Sequence, residues 1–270
     1  MGTALGLAGW KLSLVSPEPL DDPVPSDTPG PAGPALWSAT RRRRAFLVAT
    51  AAGLVALVAT LAFMPHRQIR PHCASRRRGI DVSSFQHTID WQQVSSACLA
   101  FIYVRISAGT TPDVNGASNL AGARATTAAV GAYQYFHPGQ DVLAQAQLMI
   151  ASADHQPGDL PPAIDVETTD GLPLPQVIAH IQDWLTTVED ALGVRPLIYS
   201  SPTFWSAHIH ARSLTAFPLW VANYTTAREP TLPLGGWPGG WTFWQYSRTG
   251  HVPGIGTQVD LDRAAAAVSG

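Results

Sequence analysis

The segment AIDVE, residues 163–167, places two carboxyl groups two positions apart, Asp165 and Glu167, around the apolar Val166 and next to Ile164. Side chains of an extended strand alternate with period two, so both acids leave the backbone on one face and the aliphatic residues on the other. Unpaired carboxyls in a protein interior are costly. Two of them side by side hold at least one pKa up, so one group keeps a proton near neutral pH while the other stays ionised. Hydrolysis of a glycosidic bond needs this pairing: a protonated carboxyl at the leaving oxygen and a second group opposite the anomeric carbon. The bland alternative is a strand with one solvated face, common in antiparallel sheets. A strand embedded between helical segments is instead expected to be covered on both sides.

Further acids lie on other apolar segments, Asp81 in GIDVSSFQ and the pair Asp260 and Asp262 in VDLDRA. Tyr133, Tyr135, Tyr199, Trp220, Trp244 and Tyr246 also occupy such segments. Flat rings make sugar platforms and equally well fill a barrel. No G-x-S-x-G and no H-E-x-x-H is present, which removes the serine-hydrolase and common zinc-protease readings. His208 and His210 are two apart rather than four, so no metal is expected, and no cofactor.

From Gly79 onward short apolar segments alternate with helical stretches. Strands are predicted at 79–82, 99–106, 130–136, 163–167, 196–199, 218–222, 242–246 and 258–261. The clearest helix runs from Leu174 to Leu192, with Val177, Ile181, Trp184, Leu185, Val188 and Leu192 on one stripe and Gly193 as its stop. Alternating strand and helix implies an α/β fold with a largely parallel sheet, and eight strands fit a TIM-like (β/α) barrel. If all eight ran parallel, their C-terminal ends would bring the acids to one face.

Charge divides the chain before Gly79. The N-terminal part carries ten Lys and Arg against four acids, the remainder seven Arg against fifteen acids. The acidic part is not a nucleic-acid binder and must hold a substrate by stacking and hydrogen bonds. Residues 1–44 begin with a proline-rich stretch that lacks a sustained apolar period, expected to be a disordered tail ending in Arg41 to Arg44. Residues 45–64 are twenty uncharged residues, AFLVATAAGLVALVATLAFM, the length of a transmembrane helix. A basic linker, 65–78, leads to the domain at 79–270. Four arginines precede the apolar run and five follow it, so charge alone leaves the orientation open. A single-pass protein with its domain outside the cytoplasm is the expectation. Cys73 and Cys98 could form a disulfide or remain two buried thiols.

In order, GIDVSSFQHTIDW, FIYVRISAGT, GAYQYFHP, AIDVE, PLIYSSPTFW, PLWVANY, TFWQYS and VDLDRA resemble the lysozymes of glycoside hydrolase family 25, over nearly all of residues 79–270. The resemblance implies a flattened β/α barrel and cleavage of peptidoglycan between N-acetylmuramic acid and N-acetylglucosamine. It implies Glu167 as proton donor, Asp165 as its partner, Asp81 and Asp260 completing the carboxylate cluster, and Tyr135, Trp220 and Trp244 near the sugars; Tyr199 joins them as a candidate for its place at a strand end. Peptidoglycan strands and a membrane are the implied partners of a monomer. Three positions depart from the family pattern: His87 stands where Gly is common, Ala108 where a larger or acidic residue is usual, and Asp262 where Asn is common. A peptidoglycan-binding protein without activity and a hydrolase of another amino-sugar polymer such as chitin are the competing functions. Residues two apart on a strand have Cα atoms about 6.6 to 6.8 Å apart. That spacing falls between the ~5 to 5.5 Å of retaining pairs and the ~6.5 to 9.5 Å of inverting ones. The stereochemistry therefore stays open, and attack by the substrate's own acetamide is a third route.

Overall fold

The computed structural model describes residues 76–268. The tail, the apolar run, most of the linker and Cys73 lie outside the described residues. Among the described residues no helix is long and apolar enough to cross a membrane.

Nine strands form one sheet: β1 (Arg78–Val82), β2 (Phe101–Ala108), β3 (Thr111–Pro112), β4 (Ala129–Tyr135), β5 (Ala163–Asp165), β6 (Leu197–Ser200), β7 (Leu219–Ala222), β8 (Phe243–Gly250) and β9 (Val259–Ala264). Their order is β1-β9-β8-β7-β6-β5-β4-β2-β3, and a further β1–β2 pairing closes eight of them into a barrel with β3 as a short spur. Seven barrel strands run parallel. The eighth does not: β9 pairs antiparallel with both β8 and β1. The last connection explains this, because β8 and β9 are joined by a short loop, whereas a parallel crossover needs a dozen or more residues. Asp260 still reaches the end of the barrel where the parallel strands finish, because it lies near the start of a reversed strand, opposite Asp81.

Alternation along each strand divides the residues into two layers. Phe101, Tyr103, Tyr133, Leu197, Tyr199, Trp220 and Phe243 pack together inside the barrel. The ring centroids of Tyr103 and Trp220 are 4.6 Å apart, as are those of Phe101 and Phe243. These rings leave no space for Cβ atoms at two facing positions: a side chain at Gly79 would strike the Phe101 ring, and one at Gly131 the Tyr103 ring. Alternate residues, such as Ile164, Val166, Ile198, Leu219 and Val221, face outward against the helices.

The longest helix among the described residues, Leu174–Leu192, buries Val177, Ile181, Trp184, Leu185 and Val188 on that layer. It ends at Gly193, whose φ of 66° is reached without steric cost and whose N–H caps Glu189 O. Trp184 Nε1 donates to Gln134 Oε1 at 2.6 Å, which satisfies two polar groups buried in the outer layer. At the end of the barrel where β1 begins, Val268 N donates to Arg76 O at 2.9 Å and Ala264 N to Arg77 O at 2.8 Å.

Candidate active site

The opposite end of the barrel, where β1, β5 and β6 finish, opens into a cleft of about 290 Å³. Asp81, Asp165, Glu167 and Asp260 all line it, with Tyr133, Tyr135, Tyr199 and Trp220. Strand β5 is only three residues long and ends at Asp165, so Glu167 stands on the segment just beyond it. Asp165 is 6 % exposed. Glu167 is exposed by surface area, yet its carboxyl is among enough protein atoms to lose part of its hydration. It is therefore both reachable from the cleft and biased towards its protonated form.

Burial dominates the electrostatics of every acid here. Desolvation, then repulsion from Glu167 and Asp81, pushes the Asp165 carboxyl well above the usual range. Glu167 is raised by desolvation and then by Asp81, with the polar Tyr199 hydroxyl acting the other way. Asp81 is pushed up to about 6, chiefly by burial, and Asp260 to about 8 by burial, then by Asp81 and Glu167. Below them Asp262, fully buried, accepts from Trp220 Nε1 at 2.9 Å, while its buried Oδ2 has no hydrogen-bond partner among the described residues. Burial and then Asp81 hold its carboxyl well above the usual range, which favours the uncharged form, the one closest to the Asn common at this position.

Gln245 orders the centre of the cleft. Its Oε1 accepts from Tyr199 Oη at 2.9 Å and from Tyr224 Oη at 2.6 Å, which turns Nε2 towards Asp81 Oδ2 at 2.7 Å. One wall is built by the loop after β1. A capping box between Ser83 and Gln86 folds that loop and leaves Phe85 70 % exposed over the cleft. Arg105 braces it from below, bound to Asp113 Oδ2 at 2.8 Å and Ser84 Oγ at 3.0 Å, its guanidinium 5.0 Å from the Phe85 ring centre. His87 closes the loop with φ at 54°, a conformation that favours glycine.

The aromatic residues selected from the sequence separate. Tyr135 and Tyr199 border the cleft. Trp220 forms its base, but only 1 % of it is exposed and its indole N–H is already taken by Asp262, so it offers a sugar almost no free surface. Trp244 does not line the cleft. It points out of the barrel because Phe243 and Gln245 on either side point in, and its Nε1 donates to Asn223 O at 2.7 Å. Phe85, Tyr224, Gln245 and Arg248 border the cleft and were not singled out from the sequence. The alternation of TFWQY would have marked Gln245, but nothing local marks the loop residues Phe85 and Tyr224.

The raised pKa values fix the sign of a pH effect. An acid whose folded pKa exceeds its unfolded value, near 3.8 for Asp, contributes most to stability below that value and loses the contribution as pH rises through the folded pKa. The melting temperature should therefore fall as pH rises from about 4 through about 6 and 8, the window set by Asp81 and Asp260. Removing the ionisable group with Asp262→Asn should flatten that slope. A melting temperature that climbs across the window in calorimetry would contradict the assignment.

Residues 80–255 match the sequence profile of glycosyl hydrolases family 25. Lysozyme M1 of Streptomyces globisporus is 31 % identical over 210 residues, 73 % of this chain and 70 % of that protein. An uncharacterized protein of Escherichia coli K12, YegX, is 33 % identical over 190 residues, 68 % of each chain. The crystal structure of the bacterial lysozyme from Streptomyces coelicolor superposes with a TM-score of 0.66 at 29 % identity, covering 72 % of this chain and 94 % of that one. An eight-stranded barrel with a carboxyl-lined cleft, this profile and these relatives together place the chain in glycosyl hydrolases family 25, as a glycoside hydrolase of the lysozyme class.

Proposed function

We propose that the chain cleaves the β-1,4 bond between N-acetylmuramic acid and N-acetylglucosamine in peptidoglycan, with Glu167 as general acid and Asp165 as its partner carboxylate. One observation carries the assignment of roles: Asp165 Oδ1 is buried and has no hydrogen-bond partner, while the neighbouring Glu167 is open to the cleft. A buried polar atom left without a partner is costly unless a ligand supplies one. An N-acetyl N–H is a donor of the right kind for Asp165 and on binding would favour its ionised form, while a glycosidic oxygen is the acceptor for the proton of Glu167. Asp81 and Asp260, with their own raised pKa values, keep the cleft from gathering the full charge of four carboxylates. The lysozyme name of the Streptomyces relative supports a wall glycan as the substrate.

Digestion of purified peptidoglycan, followed by mass analysis of the new ends, tests this reading. Reducing muramic acid ends are expected. Glucosamine ends, or cleavage of chitin with peptidoglycan left intact, would replace the substrate assignment. Binding to peptidoglycan without any new ends would make the chain a wall-binding protein.

We also propose that residues 45–64 anchor the protein as a single-pass membrane helix with the catalytic domain outside the cytoplasm. The support is twenty uncharged residues abutted by Arg41 to Arg44, and a substrate that lies outside the cell. Protease added to intact spheroplasts should then degrade the catalytic domain and spare the N-terminal tail. Protection of the domain would reverse the topology.

A further inference from the structure

Two cations border the cleft, Arg105 and Arg248. Arg105 is tied to Asp113 and Ser84, with 14 % of its side chain exposed, and serves the loop that carries Phe85. Arg248 differs in each respect. It is exposed, and among the described residues it has neither an ion pair nor a hydrogen bond that would hold its guanidinium. It stands 5.8 Å from the ring centre of Tyr224, which is 51 % exposed and fixed in place by the hydrogen bond from its hydroxyl to Gln245. The guanidinium lies over the ring, so the two together put a cation and an aromatic side chain on the wall formed by β8 and the segment after β7.

The rest of the cleft is unsuited to an anion. Asp81, Asp165, Glu167 and Asp260 supply carboxyl groups, and any that ionise repel a negative substituent. A substrate that carries a carboxylate beside its cleaved bond must direct that group away from them. Along the barrel rim Arg248 on β8 is three strands from β5, which ends at Asp165. A group held there lies away from Asp165 and Glu167, and the Arg248 cation, which also offsets the charge of Asp260 on the paired strand, favours it against that nearer acid. Guanidinium binds carboxylate through paired N–H donors, a charge-assisted contact stronger than a neutral one.

Resting on the proposed muramidase activity, we propose that Arg248, over the Tyr224 ring, binds a carboxylate of the muramoyl substituent, either the lactyl group itself or an acidic residue of the attached stem peptide. This contact separates peptidoglycan from uncharged amino-sugar polymers. It is a substrate-binding role distinct from proton transfer, and it predicts a selectivity that follows the charge of the substituent rather than the sugar backbone.

The test compares the full chain with Arg248→Gln and Arg248→Lys on three glycans: native peptidoglycan, the same material with its carboxyl groups converted to amides, and glycan stripped of stem peptides so that the lactyl carboxylates are bare. The unmodified protein should prefer native over amidated glycan by about tenfold or more in kcat/KM, the size of one charge-assisted hydrogen bond. Arg248→Gln should close that gap by losing rate on native glycan, mostly through KM. Arg248→Lys should restore part of it, because the charge returns without the planar fork. Because the stem is joined to the lactyl carboxyl as an amide, a preference for native over amidated glycan identifies a stem carboxylate, whereas faster cleavage of stripped glycan than of either identifies the lactyl carboxylate that is free only there. Equal losses on native and amidated glycan, with a shifted pH profile, would show that Arg248 acts by neutralising Asp260 and would overturn the proposal. An unmodified protein with no preference for free carboxylates would overturn it as well. Failure to cleave any of the three glycans would instead remove the muramidase reading on which it rests.

Discussion

Glu167→Gln is expected to lower turnover on peptidoglycan by a factor of roughly 10² to 10⁴, the contribution of a positioned general acid, with the melting temperature nearly unchanged. The amide keeps the shape and hydrogen bonding of the carboxyl but has no proton to deliver to the leaving oxygen. The small effect on stability follows from the location of Glu167, which is exposed on the segment beyond β5, where an uncharged group relieves repulsion from Asp81 and leaves no cavity. Initial rates and calorimetry on the same preparation separate the two quantities. Activity close to that of the unmodified protein would remove Glu167 from the role.

Asp165→Asn should also reduce turnover, by about 10²-fold or more, the size of one preorganised electrostatic contact to a developing charge. How it fails distinguishes the possible chemistries. If the substrate's acetamide attacks the anomeric carbon, Asp165 need only orient and neutralise it, and the free Oδ1 of Asp165 is where its N–H would be received. The variant should then keep some activity on N-acetylated glycan, and de-N-acetylated glycan should resist even the unmodified protein. If Asp165 is the nucleophile or the base for water, removing the acetyl group should affect mainly binding. The anomer released first, read by NMR, closes the question. Inversion excludes the acetamide route, because two displacements restore the configuration. Retention with unchanged kcat on de-acetylated glycan leaves Asp165 as the covalent nucleophile.

Much of this architecture can be read from local patterns because the determinants are local. Alternation within AIDVE, LIYS and LWVA anticipates which side chains face the barrel interior, and the strands at Val130, Leu197 and Leu219 fall within a residue or two of their predicted starts. The stripe from Val177 to Val188 with Gly193 after it predicts the helix at 174–192. The direction of β9 is another matter. VDLDRA reads the same in a parallel or an antiparallel strand, and only the short connection from β8 decides between them. The family resemblance puts Trp244 near the sugars, although Phe243 and Gln245 beside it imply the opposite face. Phe85 and Tyr224 stand on loops, and their positions depend on contacts with Arg105 and Gln245 that are distant in sequence. The function-bearing rim is therefore less legible than the strands beneath it.

The hydrogen bond between Val268 and Arg76 brings the two ends of the described residues together at the end of the barrel away from the cleft. In a domain cut at those two positions, neighbouring ends favour circular permutation. A short polar linker between those ends, with new termini opened in an exposed loop such as the one around Gly158, should give a protein that folds to the same barrel, since a side chain at Gly158 would meet nothing within 4 Å. Coupled to a bead or a sensor surface through residue 76 or 268, a domain cut at those positions would present its cleft to the solution. Insoluble wall fragments could then reach the acids without first displacing the support.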